Sequence, residues 1–325
     1  MTRIQQLQQE INTLISSQKF QGNPPALYAP IAYIMKQGGK RLRPVLTLLA
    51  CDLFEGNIQD ALYPALAVEM FHNFTLVHDD IMDKAPLRRG KETVYKKWNA
   101  DIAILSGDTM FAMAYQYTLK TKAQFVPSIL QVFSKAAIEV CEGQQLDMDF
   151  EKKDEVSIAD YLDMIRLKTA VLLGASLEIG AVVAQATPKQ VKAIYDFGTA
   201  LGMAFQLKDD LLDVYGTQAE FGKISGGDIA GNKKTYLLLK ALQLADDQTK
   251  ARLNRLYKPD NTIEKASKIN EVKAIFARLN VKGEVEKVMQ TYYQQAVEIL
   301  DHLEANEAKK NELADYASFL YSRDY

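Results

Sequence analysis

Leu66-Ala67-Val68-Glu69-Met70-Phe71-His72-Asn73-Phe74-Thr75-Leu76-Val77-His78-Asp79-Asp80-Ile81-Met82-Asp83 reads as one helix that is apolar nearly all round and then ends in carboxylates. The pattern begins near Ala61, and Leu66, Val68, Met70, Phe71, Phe74, Leu76 and Val77 leave no wide polar face. A helix of that kind belongs in the middle of a bundle, not on its surface. Its acidic end has a cost. Residues four apart share a helix face, so Asp79 and Asp83 repel each other by roughly 0.2–0.5 kcal/mol. Nothing basic inside the motif relieves this, although Lys84 sits alongside.

A second stretch has the same design. Leu207-Lys208-Asp209-Asp210-Leu211-Leu212-Asp213 also closes an apolar helical run, and Asp209 and Asp213 repeat the spacing. One Asp-Asp-x-x-Asp is commonly just a solvated helix end; two copies, each after a long apolar run, point to a missing cation. Mg²⁺ takes one or two carboxylates and completes its shell with water and substrate phosphate. Two such faces would hold a diphosphate through bridging metals.

The composition sets the class. The chain has 325 residues, 48% hydrophobic and 25% charged, which is ordinary for a globular protein. A net charge of −2 argues against a nucleic-acid binder that works by neutralising phosphates. Cys51 and Cys141 lack metal-ligand spacing and read as small buried hydrophobes in a reducing compartment. The polar, Gln-rich start is no signal peptide, and no apolar run is long enough to span a bilayer. A cytoplasmic protein without stable membrane insertion is expected. Only nine prolines occur, and strand alternation bounded by hairpin turns is absent. Apolar spacings of three and four predict an all-α protein of about ten or more antiparallel helices in one domain, 1–325.

Other motifs lie between these helices. A first helix over 2–19 and a second from about Leu27 to Met35 lead to Gly38-Gly39-Lys40-Arg41-Leu42-Arg43-Pro44. The glycines end one helix, Pro44 suits the first turn of the next, and three cations at a helix start favour an anion. Ala85-Pro86-Leu87-Arg88-Arg89-Gly90-Lys91 follows the first acidic motif, and its paired arginines suit diphosphate oxygens. Helices are predicted from about Ile102 to Lys120 and Pro127 to Glu142, then a charged loop over 147–156 with Ser157 as N-cap. Lys168-Thr169 interrupts the apolar stretch from Leu162 to Ala186; it marks either a kink facing a polar cavity or a snorkelling lysine. Thr187-Pro188-Lys189-Gln190 is a strong helix start. Gly198 and Gly202 on that helix permit close approach of a neighbour. Gly216 to Gly231 holds five of the chain's seventeen glycines with Lys223 and Asp228, and Lys233 lies just beyond. It reads as a flap closing over phosphate. The remaining residues, 234–325, read as packing helices.

In this order the motifs resemble the trans-prenyltransferase family, the head-to-tail polyprenyl diphosphate synthases. The resemblance runs from Gly38 to Lys233. It implies the isoprenoid synthase fold, a single-domain helical bundle around a central cavity with the two acidic motifs facing each other, usually in a homodimer. It implies about three Mg²⁺ ions, bound by Asp79 and Asp83 and by Asp209 and Asp213. Arg88, Lys168, Lys223 and Lys233 match positions that grip the allylic diphosphate. Lys40, Arg43, His72 and Arg89 match the isopentenyl diphosphate pocket. Lys168, Thr169 and Gln206 match the catalytic groups near the reacting carbons. The implied reaction joins isopentenyl diphosphate head-to-tail to dimethylallyl, geranyl or farnesyl diphosphate by ionisation, condensation and elimination.

In the family the helix below the first acidic motif sets product length. With 1.5 Å per residue, Phe74 sits roughly 7.5 Å and Phe71 roughly 12 Å from Asp79 along the helix. Their bulk, with the small Thr75 between them and the motif, implies a short product, geranylgeranyl diphosphate ahead of farnesyl diphosphate. If both rings point elsewhere, a longer-chain synthase results. A terpene cyclase is disfavoured because Asp209-Asp210-x-x-Asp213 stands where an Asn/Ser/Glu metal motif is usual. A non-catalytic partner subunit is disfavoured because such subunits lose motif residues that are all present here. The role of the C-terminal Arg323 is left open.

Overall fold

A computed structural model describes residues 1–216, 226–258 and 261–322. The helices are α1 (Arg3–Ser17), α2 (Pro25–Lys36), α3 (Leu42–Leu53), α4 (Ile58–Met82), α5 (Val94–Lys97), α6 (Ala100–Thr118), α7 (Val126–Lys152) and α8 (Ile158–Ile165). A π-helical turn, Arg166–Ala170, leads into α9 (Val171–Val183) and α10 (Pro188–Tyr215). Then come α11 (Gly227–Ala230), α12 (Tyr236–Leu244), α13 (Asp247–Leu256), α14 (Lys265–Arg278), α15 (Val281–Asp301) and α16 (Glu307–Ser322). The chain is all-α, as its periodicity predicts. No helix of the described residues is long and apolar enough to cross a membrane.

Contacts divide the chain into two compact units. The first comprises 1–136, 173–196 and 300–316. Its centre is α4, whose Leu66, Val68, Met70, Phe71 and Val77 are at most 1% exposed. Burying each such side chain stabilises the fold by roughly 1.5–3 kcal/mol. Asn57 caps the start of α4 by accepting the Gln59 N–H. Close packing around it relies on missing side chains: a Cβ on Gly180 would lie 2.1 Å from the Thr47 carbonyl of α3, and one on Gly107 of α6 would lie 2.2 Å from His78 Nε2.

The second unit contains 137–172, 197–299 and the chain from 317. Its core joins Tyr161 and Ile165 of α8, Leu207 and Leu211 of α10, Leu237 of α12, Leu253 of α13, Phe276 of α14 and Val285 of α15. Ser157 starts α8 with the expected capping box to Asp160. Gly202 permits the close approach read from the sequence, since a Cβ there would meet Ala170 Cα at 2.6 Å.

Three expectations are corrected. The helix predicted to end near Glu142 continues to Lys152, and only the end of the predicted charged loop remains. Buried Phe150 and the Asp147–Lys168 ion pair hold the added turns in place. A hairpin does exist: Leu87–Arg88 pairs antiparallel with Lys91–Glu92. Its strands are too short to show alternation, and its turn, Arg89 (φ 52°) and Gly90 (φ 72°), lacks the usual Asn-Gly signature. Cys141 is exposed, because its apolar run turns this face outward with Ile138 (60% exposed). Cys51 is buried as expected, and burial pushes its thiol up to about 12.

Candidate active site

In the first unit, helix geometry sorts the three aspartates at the end of α4. Asp80 is 1% exposed, Asp79 is half-buried and Asp83 is exposed. Asp80 receives Arg88 in a bidentate grip, Nε at 2.9 and 3.1 Å from its two oxygens and Nη2 at 2.8 Å from Oδ1. The middle aspartate thus secures the hairpin, and the outer two share the face turned toward solvent. Arg88, expected at the allylic diphosphate, is anchored here through this pair.

The positive-φ turn throws Arg89 back toward the glycine loop, where its Nη1 donates to the Gly38 carbonyl at 2.6 Å. Gly39 holds φ at 140°, a backbone conformation strained for any side chain, and a Cβ there would lie 2.8 Å from that guanidinium and displace it. Lys40 is exposed on this loop. Arg43 Nη1 lies 3.2 Å from His72 Nε2. A guanidinium only donates, so Nε2 accepts and the imidazole proton resides on Nδ1. Removal from water, then Arg43, Arg89, Arg88 and Arg41, hold His72 well below its ordinary value. The imidazole is neutral at pH 7 and sits in a strongly positive pocket. The structure therefore brings Arg43, His72, Arg88 and Arg89 together.

Below the acidic end, Phe71 is fully buried and packs against Phe74, Phe111 and Phe133 with ring centroids 5.4–5.7 Å apart. Phe74 is half-buried and stacks on Phe111 of α6 at 5.1 Å. It also meets His78 edge-on at 4.7 Å. Thr75 turns its hydroxyl back onto the His72 carbonyl at 2.8 Å. Phe111 was missed by the sequence reading. Only Gly107, one turn before it, signalled that α6 lies close enough to α4 for the rings to meet.

In the second unit a π-helical turn carries both Lys168 and Thr169, and both line a pocket of this unit. The inserted residue widens the turn, as π-bulges at functional sites commonly do. Gly143 makes room for it: a Cβ there would lie 2.2 Å from the Lys168 backbone nitrogen. Lys168 Nζ pairs with Asp147 at 2.6 Å. The Thr169 hydroxyl donates to Gln206 Oε1 at 2.9 Å, and Gln206 Nε2 donates to Asp210 Oδ1 at 3.0 Å. The Tyr161 hydroxyl closes the chain on Asp210 Oδ2. Burial first, then the charge of Asp228, raise the Asp210 carboxyl well above its usual range.

The second motif repeats the sorting of the first. Asp210 is 4% exposed, and Asp209 is half-buried. Asp213 departs from it at 7% exposed, with Oδ2 accepting the Asp228 N–H of α11 at 3.0 Å. Lys168, Thr169, Gln206, Asp210, Asp228 and Lys233 line one pocket of this unit. Lys223 and Arg323 lie outside the described residues.

The carboxylate oxygens of Asp79, Asp83, Asp209 and Asp213 are donors of the kind Mg²⁺ takes, a hard cation that uses few carboxylates and keeps positions for water and phosphate. Among the described residues no group of three or more His, Cys, Asp or Glu side chains is placed to hold a metal ion by itself.

The sequence pattern of the polyprenyl synthetase family matches residues 24–277. The chain is 35% identical over 307 residues to a geranylgeranyl diphosphate synthase of Methanosarcina mazei, covering 93% of this chain and 91% of that one. It is 34% identical over 302 residues to heptaprenyl diphosphate synthase component 2 of Geobacillus stearothermophilus, covering 92% and 91%. A crystal structure of a geranylgeranyl pyrophosphate synthase matches with a TM-score of 0.94 and 42% identity over 99% of both chains.

Proposed function

This chain belongs to the polyprenyl synthetase family, and from that premise we propose that it is a short-chain prenyltransferase joining isopentenyl diphosphate to allylic diphosphates. The observation that carries the reading is the pocket of guanidinium groups around neutral His72, on the helix that ends in Asp79 and Asp83. Such a pocket suits a diphosphate with its metal.

Asp79, Asp83, Asp209 and Asp213 would hold Mg²⁺, which withdraws charge from the departing diphosphate when bound. Lys40, Arg43, His72 and Arg89 bind isopentenyl diphosphate. Arg88, Lys168, Lys223 and Lys233 hold the allylic diphosphate. Its C–O bond breaks, and the electron pair leaves with the diphosphate. The isopentenyl double bond then attacks the allylic carbon, and a proton is lost as the new double bond forms. The Thr169 hydroxyl donates a hydrogen bond to Gln206 Oε1, which leaves the threonine oxygen lone pairs for the allylic cation. The released diphosphate takes the proton, so no protein base is required.

Relatives named for different products share about the same identity with this chain, so product length rests on its own rings. Phe71 is a packing residue; Phe74 and Phe111 together form the floor. That floor favours geranylgeranyl diphosphate, with farnesyl diphosphate as the shorter outcome. A homodimer is supported by the exposed Ile104 (43%) and Leu105 (59%) on α6, which a second copy would cover. A cytoplasmic location is part of the same proposal. Turnover of isopentenyl diphosphate with each allylic primer and Mg²⁺, read by mass spectrometry, tests the assignment.

A further inference from the structure

Of the cations in the Gly38–Pro44 loop, one points away from any ligand. Arg41 is 5% exposed, and its guanidinium is spent on protein acceptors: Nη1 on Glu69 Oε1 at 2.5 Å, Nη2 on the Met35 carbonyl at 2.9 Å and Nε toward Asn12 Oδ1 at 3.4 Å. Glu69 is itself 3% exposed and also accepts from Asn73 Nδ2 at 3.0 Å. One planar fork thus ties α1, the end of α2 and α4 to the first residue before α3. Arg41 holds φ at 49°, a left-handed conformation unfavourable for a residue with a side chain. Such strain persists only where the surroundings enforce it. Here they do so between Lys40 and Arg43 in sequence, while Glu69 and Asn73 flank His72 on α4.

We propose that the buried Arg41–Glu69 pair is the positioning device of the isopentenyl diphosphate pocket, with Arg41 acting through Lys40, Arg43 and His72 and never touching the ligand. The inference rests on the assignment of that pocket given above. It has a consequence opposite to simple charge counting. Neutralising Glu69 adds positive potential beside a diphosphate site and would tighten binding if Arg41 were a ligand held in check. If the pair positions the loop, the same change loosens the pocket and weakens binding. Lysine at position 41 would keep the charge but cannot span the three acceptors that the planar fork reaches.

The test is steady-state kinetics of the full-length enzyme carrying Arg41→Lys, Glu69→Gln or Arg43→Gln, with both substrates varied. Arg41→Lys and Glu69→Gln are each expected to raise KM for isopentenyl diphosphate about tenfold, while KM for the allylic substrate stays within about twofold. A KM for isopentenyl diphosphate that is unchanged or lower in either variant overturns the inference, provided Arg43→Gln raises it. If Arg43→Gln leaves that KM unchanged, the pocket assignment itself fails. Should a single variant not fold, the Arg41→Met/Glu69→Met pair removes both buried charges together and is better tolerated. It still strips Met35 and Asn12 of their donor, so the same rise in KM is expected; a wild-type value contradicts the proposal.

Discussion

Phe74 of α4 and Phe111 of α6 are stacked, with ring centroids 5.1 Å apart and planes inclined by 24°. Both rings are half-buried, whereas Phe71 beneath them is sealed from solvent. Phe74→Ala or Phe111→Ala should therefore shift products to longer chains, and the double variant further still. Phe71→Ala should instead destabilise the fold by about 3–5 kcal/mol through cavity formation. Product mass spectra and urea melts of the three single variants check this division. An unchanged product from both Phe74→Ala and Phe111→Ala removes the floor.

Burial separates the middle aspartate of the first acidic motif from the outer two. Asp80 is buried against Arg88, and Asp83 is exposed. Asp80→Asn weakens a charge-assisted pair and should cost about 1.5–3 kcal/mol of stability. Asp83→Asn should change stability by no more than about 0.5 kcal/mol yet lower Mg²⁺-dependent kcat by roughly 10²-fold. Denaturant midpoints compared with turnover rates distinguish the two, and equal stability losses would contradict the sorting.

His72 gives the fold a pH dependence. Its imidazole titrates well below the ordinary value in the folded protein and near 6.5 when unfolded. Between those values the unfolded chain binds a proton that the folded chain refuses. Stability is thus fully present above about pH 6.5 and is lost as the pH falls toward the folded value. His72→Gln should flatten that part of the profile. Unfolding free energies at pH 8 and pH 5.5 provide the measurement, and a variant with the wild-type slope counts against the depressed imidazole.

Gly143 sets the approach of α7 to the π-helical turn. A methyl group there meets backbone at 2.2 Å, so Gly143→Ala must displace the turn that carries Lys168 and Thr169. An overpacking cost of about 1–3 kcal/mol is expected. The rate should fall by more than that cost explains under conditions where the protein stays folded. A fully active variant would show that the turn tolerates displacement.

The sequence made some of this legible and hid the rest for physical reasons. Helix periodicity, Ser157, Gly202 and the paired acidic motifs act locally, so spacing alone reveals them. The roles of Asp80 and Asp210 were not separable from their neighbours, because burial of the middle aspartate depends on Arg88 and Tyr161 arriving from elsewhere. Arg41 read only as one of three cations at a helix start; its withdrawal into the protein depends on Glu69, 28 residues away. Phe111 became visible only once α6 was packed on α4. The hairpin at Arg89-Gly90 escaped because an arginine occupies a left-handed position that its neighbours enforce.

The central claim is tested most directly by incubating the purified protein with isopentenyl diphosphate, Mg²⁺ and dimethylallyl, geranyl or farnesyl diphosphate in turn, then identifying products by mass spectrometry. The account predicts elongation of the primers to a linear geranylgeranyl diphosphate, with farnesyl diphosphate as the shorter product. Absence of elongation from every primer in the presence of Mg²⁺ would contradict it.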